Sequence, residues 1–158
     1  MNSNDEQPYD EDRDSLVGFF SGPTNLAELS THLGHEYRYT ETIRAMWAAL
    51  DRFEFEAVAP LLHDEFVCEW PQSRERIVGR DNFVAVNANY PGRWHIVIQN
   101  IMCDLNQVVT ECDVTDGNVT VQAISFFTIK DDKIIHIREY WPDEMEAQAW
   151  RSKWVELF

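Results

Sequence analysis

The last strand-like segment of the sequence runs Ile134, Ile135, His136, Ile137, Arg138, Glu139, Tyr140, Trp141. In an extended chain, residues two apart share a face, so Ile135, Ile137, Glu139 and Trp141 point one way and His136, Arg138 and Tyr140 the other. A carboxylate in register with isoleucines and a tryptophan is a solvated edge residue, a paired core charge or a working acid in a pocket. Counting along the preceding hairpins supplies it with company. If both turns hold two residues, Thr115 pairs with Asn118 and Lys130 with Lys133, so Glu111 falls opposite Gln122, and Ile124 opposite both Val109 and Glu139. Glu111 and Glu139 then share a face, one diagonal step apart, with Asp113, Gln122 and Thr120 beside them and Phe126, Ile135 and Ile137 as an apolar floor. Two carboxyls held close together do not both ionise cheaply: one stays protonated as an acid while the other acts as a base. Apolar walls with a few converging polar groups are also what a small-molecule pocket looks like.

The elements that must position these residues are legible in the periodicity. Residues 1–14 are acidic and poor in apolar side chains, the composition of a disordered tail, and a short helical pattern follows at Leu26, Leu29 and Leu33. Residues 1–36 read together as an acidic, partly disordered arm and residues 37–158 as a single domain. Thr40 is the expected N-cap of the first body helix, whose stripe is Ile43, Met46, Trp47 and Leu50. A second short helix covers roughly 55 to 62. "FVCEWP" is a strand stopped by Pro71, "SRERIVG" a short extended piece, and Asp81 caps a helix through about Asn89. From Trp94 onward, four segments with strand patterning are separated by short turns, which predicts an antiparallel meander. The last sixteen residues, with Trp150, Trp154 and Leu157 on one side, return to helix. Helices followed by a four-strand sheet make an α+β domain.

Composition removes several function classes. The chain has 158 residues, a formal net charge of −15 and a pI near 4.5, with no local cluster of lysine or arginine, which opposes phosphate backbones and anionic lipid. Neither a nucleic-acid partner nor a membrane is expected. Three cysteines without a CxxC pair read as free thiols in a reducing cytoplasm rather than as a disulfide framework or zinc knuckle. The five histidines lack metal-ligand spacing and the serines lack a GxSxG setting, so neither a metal nor a hydrolytic triad is expected. His95 is a candidate base by residue type, although a lone histidine at a sheet's start is more often structural.

The helix leading into "DRFEFEAVAPLLHDEFVCEWP", then "RIVGRDNFVAVNANYPG", the meander, and the closing "EYWPD" and "AWRSKW" resemble the SnoaL-like branch of the nuclear transport factor 2-like superfamily over roughly residues 38 to 155. The resemblance implies a cone-shaped, curved antiparallel sheet wrapped around N-terminal helices, a deep apolar pocket, and a homodimer formed through the sheet. It also allows three enzyme types to be compared residue by residue. The catalytic base of ketosteroid isomerases corresponds to Trp70, their helix tyrosine to Met46 and their oxyanion acid to Ile124 or Ser125, so none of those roles is filled. The strand aspartate of limonene epoxide hydrolases corresponds to Glu139. Their Arg-x-Asp pair corresponds to Glu111 and Asp113, with the arginine replaced, and their asparagine to Glu69. In polyketide cyclases of this type, an aspartate near the end of the last strands corresponds to Glu139 or Asp143. Glu69, which alternates with Val67, is placed at the pocket by the resemblance or, alternatively, is bound to the neighbouring Arg74 or Arg76. Trp141, Tyr90 and Trp70 become candidate pocket walls.

The combined expectation is a cofactor-independent acid/base enzyme of isomerase, cyclase, dehydratase or epoxide hydrolase type, acting on a small hydrophobic, polyketide-like or terpenoid-like molecule. Glu139 is the principal acid/base, Glu111 its partner and Glu69 a third polar contact. Two rivals stand beside it: a non-catalytic binding module using the same acids, and an interaction protein that docks through Phe19 and Phe20 of the arm.

Overall fold

A computed structural model describes residues 25–143 and 145–158. The acidic tail and the Phe19/Phe20 pair lie outside the described residues. The chain opens with helix α1 (Leu26–Asp51), capped by Asn25, whose side-chain oxygen accepts from the Glu28 backbone N–H at 3.0 Å. Thr40 is therefore not a cap. It lies in mid-helix, with its hydroxyl donating to the Tyr37 carbonyl at 2.8 Å, and the helix runs without a break past residue 36. The expected stripe of Ile43, Met46, Trp47 and Leu50 is buried, whereas Leu26, at the helix start, and Leu33, two turns on, are exposed.

After a 3-10 helix (Phe55–Leu61) come β1 (Leu62–Trp70), β2 (Glu75–Val78), α2 (Arg80–Ala88), β3 (His95–Asp104), β4 (Gln107–Thr115), β5 (Thr120–Lys130) and β6 (Lys133–Tyr140). The strands form one open sheet in the order β2-β1-β6-β5-β4-β3. The α+β architecture is the expected one. The sheet is mixed rather than purely antiparallel, because β1 runs parallel to β6. Gly79, at φ 88°, carries the chain from β2 into α2 and takes the N-cap position expected of Asp81, which falls in the first turn instead. The expected C-terminal helix is reduced to a single 3-10 turn, Ala149–Arg151, and Trp150 and Trp154 are both exposed. A helix this short needs tertiary packing to persist, and those indoles are not buried against the core.

Two loop details reset the register inferred by counting. The β4–β5 turn spans four residues rather than two: Asp116 accepts from the N–H groups of Asn118 and Val119, Gly117 sits at φ 92°, and Thr115 pairs with Thr120. A shift by two residues leaves side-chain directions unchanged. The β5–β6 turn is the expected two-residue one, with Asp131 and Asp132 both at positive φ and Lys130 opposite Lys133. Beyond it, however, Ile129 pairs with Ile134 and Thr128 with His136, so Ile135 is an extra residue, a β-bulge. That single residue inverts the phase of β6 relative to β5: Glu139 lies opposite Ser125, and Ile124 opposite Tyr140.

The inner face thus carries Thr110 and Cys112 from β4, Ser125 and Phe127 from β5, Ile137 and Glu139 from β6, and Phe66 and Cys68 from β1, all of them buried. Helix residues close the core over this face. Trp47 meets Phe127 edge-on at 6.1 Å, and Phe83 of α2 meets Phe66 at 5.1 Å. Each fully buried side chain of this kind contributes roughly 1.5–3 kcal/mol of hydrophobic stabilisation. Among the described residues, no helix is long and apolar enough to cross a membrane.

Candidate active site

Glu139 is the one charged residue among the described residues that the fold buries, at 4% exposure. Its Oε2 accepts from the Trp70 indole N–H at 2.7 Å, and its Oε1 from the Ser125 hydroxyl at 3.3 Å. Each donor is delivered by strand pairing: Ser125 faces Glu139 across the β5–β6 ladder, and Trp70 closes β1, the parallel neighbour of β6. Burial pushes the Glu139 pKa above the ordinary carboxylate value, while hydrogen bonding from Trp70, Ser125 and Trp141 pulls in the opposite direction. The net effect is a carboxyl that holds its proton to higher pH than a solvated glutamate. Beneath it, Thr110 lies opposite Ser125 and its hydroxyl accepts from Trp47 Nε1 at 3.2 Å, so the buried polar groups of the floor are all satisfied.

Glu139 lines a cavity of about 580 Å³ between the inner sheet face, α1 and α2. This is the size of a site for a small organic molecule. Trp70, Trp141 and Tyr90 line it, as does Asp143. The counting from sequence did not anticipate the walls supplied by Trp47, Phe53, Phe55 and Trp94, or the polar contributions of Glu75 and Arg93. Ser125 was out of reach of that counting because its parity depends on the bulge.

The remaining candidates lie on the outer face. Glu111 accepts from Asn100 Nδ2, and Asp113 from Gln99 Nε2 at 2.8 Å across the β3–β4 pair. Gln122 is opposite Asp113, and Phe126 is exposed, edge-on to Tyr140 at 6.1 Å. The inferred Glu111–Glu139 pair is therefore corrected: the two carboxyls are on opposite faces because Ile135 bulges. Glu69 also points outward, since its neighbour Trp70 takes the inward position. It binds Arg76 at 2.6 Å, His136 at 3.2 Å and Arg138 at 3.3 Å. Hydrogen bonds from Arg76 first, then His136 and Arg138, hold its pKa down at about 2. It is an ion-pair hub joining β2, β1 and β6, away from the cavity. His95 is paired with Asp51 at 3.2 Å.

Among the described residues, one group of potential metal donors comes together: His32 and Glu36 on α1 with Asp104 at the end of β3, their ligand atoms all within 4.8 Å of one another. None of the three lines the cavity, and His32 is already bonded to Glu36 at 3.1 Å. The cysteines are free, with Cys68 and Cys112 buried and burial raising both thiols, that of Cys112 to about 11.

The family model of the SnoaL-like domain matches residues 43–137. The chain belongs to that family. A nuclear transport factor 2-like protein of unknown function from Burkholderia xenovorans LB400 is 30% identical, superposes with a TM-score of 0.68, and is matched over 78% of this chain and 98% of its own. A proposed ketosteroid isomerase from Kribbella flavida DSM 17836 superposes with a TM-score of 0.74 at 24% identity, over 78% of this chain and 91% of that one. An LEH-like epoxide hydrolase from M. tuberculosis is 25% identical with a TM-score of 0.57, over 68% and 84% of the two chains. No curated protein sequence matches. As a SnoaL-like domain, the chain has a fold shared with isomerase-like, cyclase-like and epoxide hydrolase-like proteins, and the fold alone does not choose among them. Within this SnoaL-like domain, Trp70 is a hydrogen-bond donor to Glu139.

Proposed function

We propose that the protein is a cofactor-independent acid/base enzyme in which Glu139 moves a proton within a small hydrophobic substrate. The supporting observation is the isolation of this carboxyl: buried, raised in pKa, held by two neutral donors and lining an apolar cavity of about 580 Å³. A carboxyl raised above the ordinary carboxylate range is a stronger base than a solvated one and, once protonated, an acid placed against the substrate. In its ionised form it removes a proton from a carbon beside a carbonyl, leaving an enolate. The protonated Glu139 then returns that proton, either to another carbon, which is isomerisation, or to the alkoxide formed when the enolate carbon closes on a second carbonyl. The isomerase and cyclase forms are favoured over epoxide hydrolysis because Glu111 and Asp113, at the epoxide-hydrolase positions, are on the outer face. Asp143 and Glu75, at the cavity, are the further carboxyls within reach of a substrate.

The test is hydrogen-deuterium exchange at the acidic carbons of cyclic enones and 1,3-diketones, followed by NMR in D2O. Wild type should accelerate exchange by about 10²–10⁴-fold, and Glu139→Gln should return it to the uncatalysed rate. Equal exchange by the two proteins defeats the proposal. A binding module is the second reading, favoured by the engagement of both Glu139 oxygens by protein donors. It predicts undiminished ligand affinity in Glu139→Gln with no exchange in either protein.

A second copy of the chain is the proposed occupant of the outer sheet face, where Val97, Met102, Ile124, Phe126 and Tyr140 are exposed. A two-fold contact between identical faces would bury them.

A further inference from the structure

The walls of the cavity constrain the charge of what enters it. Four of its lining residues are tryptophans, and the indole N–H groups of three are already committed within the protein: Trp47 to Thr110, Trp70 to Glu139, and Trp94 to the Pro91 carbonyl at 2.9 Å. These side chains therefore offer an occupant their rings rather than their donors, and an aromatic face is electron-rich. The ionisable groups at the cavity are unevenly divided, with the carboxyls of Glu75, Glu139 and Asp143 against the single guanidinium of Arg93. That guanidinium is itself stacked 3.9 Å from the centre of the Phe53 ring, so one wall already holds a cation over an aromatic face. The surrounding field agrees, since the chain carries a net charge of −15. An anionic ligand finds one occupied cation to bind and the carboxylates of Glu75 and Asp143 to avoid.

We infer that the cavity takes an organic cation, an amine or quaternary ammonium group attached to an apolar body, with the charged end caged by the aromatic rings and carboxyls. This rests on the reading of the cavity as the ligand site and adds the ligand's chemical class. It also gives the ligand a part in the chemistry. A cation beside Glu139 favours the ionised carboxylate, opposing the effect of burial. The bound molecule thereby helps to generate the base that attacks it, and a neutral competitor does not.

The experiment uses the full chain and three probes of similar shape: benzyltrimethylammonium, its carbon isostere neopentylbenzene, and phenylacetate. Binding is followed by tryptophan fluorescence in 0.15 M salt. The expected result is at least tenfold tighter binding of the cation than of the isostere, with phenylacetate weakest. Tyr90→Leu and Asp143→Asn, at the cavity wall, should each weaken the cation at least threefold and leave the isostere unchanged. If the isostere binds as tightly as the cation, the charge inference falls while the cavity remains a ligand site. If neither binds, both fall. A cation whose binding is indifferent to both substitutions is held elsewhere on the acidic surface, which also overturns the inference.

Discussion

Replacing Glu139 by glutamine should abolish proton transfer and yet make the protein more stable above acidic pH. Glutamine is nearly isosteric with glutamate: its amide oxygen can accept from Trp70, and its NH2 group can donate to the Ser125 oxygen, so the two hydrogen bonds at Glu139 are retained in kind. What the substitution removes is ionisation. Because folding raises the Glu139 pKa, the unfolded chain gives up this proton first as pH rises. Between the unfolded and folded values the unfolded state binds fewer protons, so stability is complete below the unfolded value and declines as pH climbs toward the folded one. Burying a carboxylate costs several kcal/mol, and each hydrogen bond to the charged form returns roughly 1.5–3 kcal/mol. With hydrogen bonds from Trp70, Ser125 and Trp141 opposing nearly complete burial, burial still wins and leaves a net penalty on the ionised form. Urea denaturation of both proteins between pH 4 and pH 8 reads it directly. The two should agree within about 0.5 kcal/mol at pH 4, and the variant should lead by more than about 0.5 kcal/mol at pH 8. A difference that stays flat, or that favours wild type at pH 8, would mean that Glu139 is stabilised as an anion and would refute the argument.

Trp70→Phe keeps the apolar wall but removes the 2.7 Å donor to Glu139. It should destabilise the fold by about 1–3 kcal/mol and move the pH profile of any Glu139-dependent exchange upward, because the carboxylate loses a stabilising partner. Glu69→Gln should leave that exchange intact. Since folding lowers the Glu69 pKa to about 2, wild type owes it stability that is present above the unfolded value and lost as pH falls toward 2. Acid denaturation curves of variant and wild type should therefore converge at low pH and separate near neutrality. Phe126→Glu, on the outer face, should halve the mass seen by sedimentation equilibrium without altering exchange per subunit. An unchanged mass would argue against a contact through this face.

Secondary structure was legible where the periodic stripe also met a surface that receives it. The Ile43/Met46/Trp47/Leu50 stripe and the strand preceding Pro71 are both as expected. Glu139 was legible too, because Ile137 and Trp141 flank it at strand spacing and share its cavity-side environment. Its partners were not. Naming Ser125 rather than Ile124 as the opposing residue depends on knowing that Ile135 is unpaired, and nothing in "KIIHIREY" separates a bulged isoleucine from a paired one. The Glu69 environment was also ambiguous from sequence. The strand alternation fixes that Glu69 and Trp70 face opposite ways, but only the sheet order, which brings Arg138 and His136 beside β1, decides which of them is inside. The C-terminal helix failed for a different reason. Spacing makes a stripe, but a stripe makes a helix only when a surface receives it.

The Ile135 bulge makes the β5–β6 hairpin behave like a reading frame. Substitutions before Glu139 alter side chains one at a time, yet none of them changes which residues of β6 the cavity receives. Length changes do. Adding or removing two residues between the bulge and Glu139 preserves phase and merely slides the ladder, whereas adding or removing one presents Arg138 or Tyr140 to the interior and turns Glu139 out among the groups of the outer face. In sequences with this hairpin, single-residue insertions and deletions would therefore be the abrupt events, exchanging a buried acid for a solvated one in one step. Matching such sequences position by position, without regard to phase, would equate residues that occupy opposite sides of the sheet.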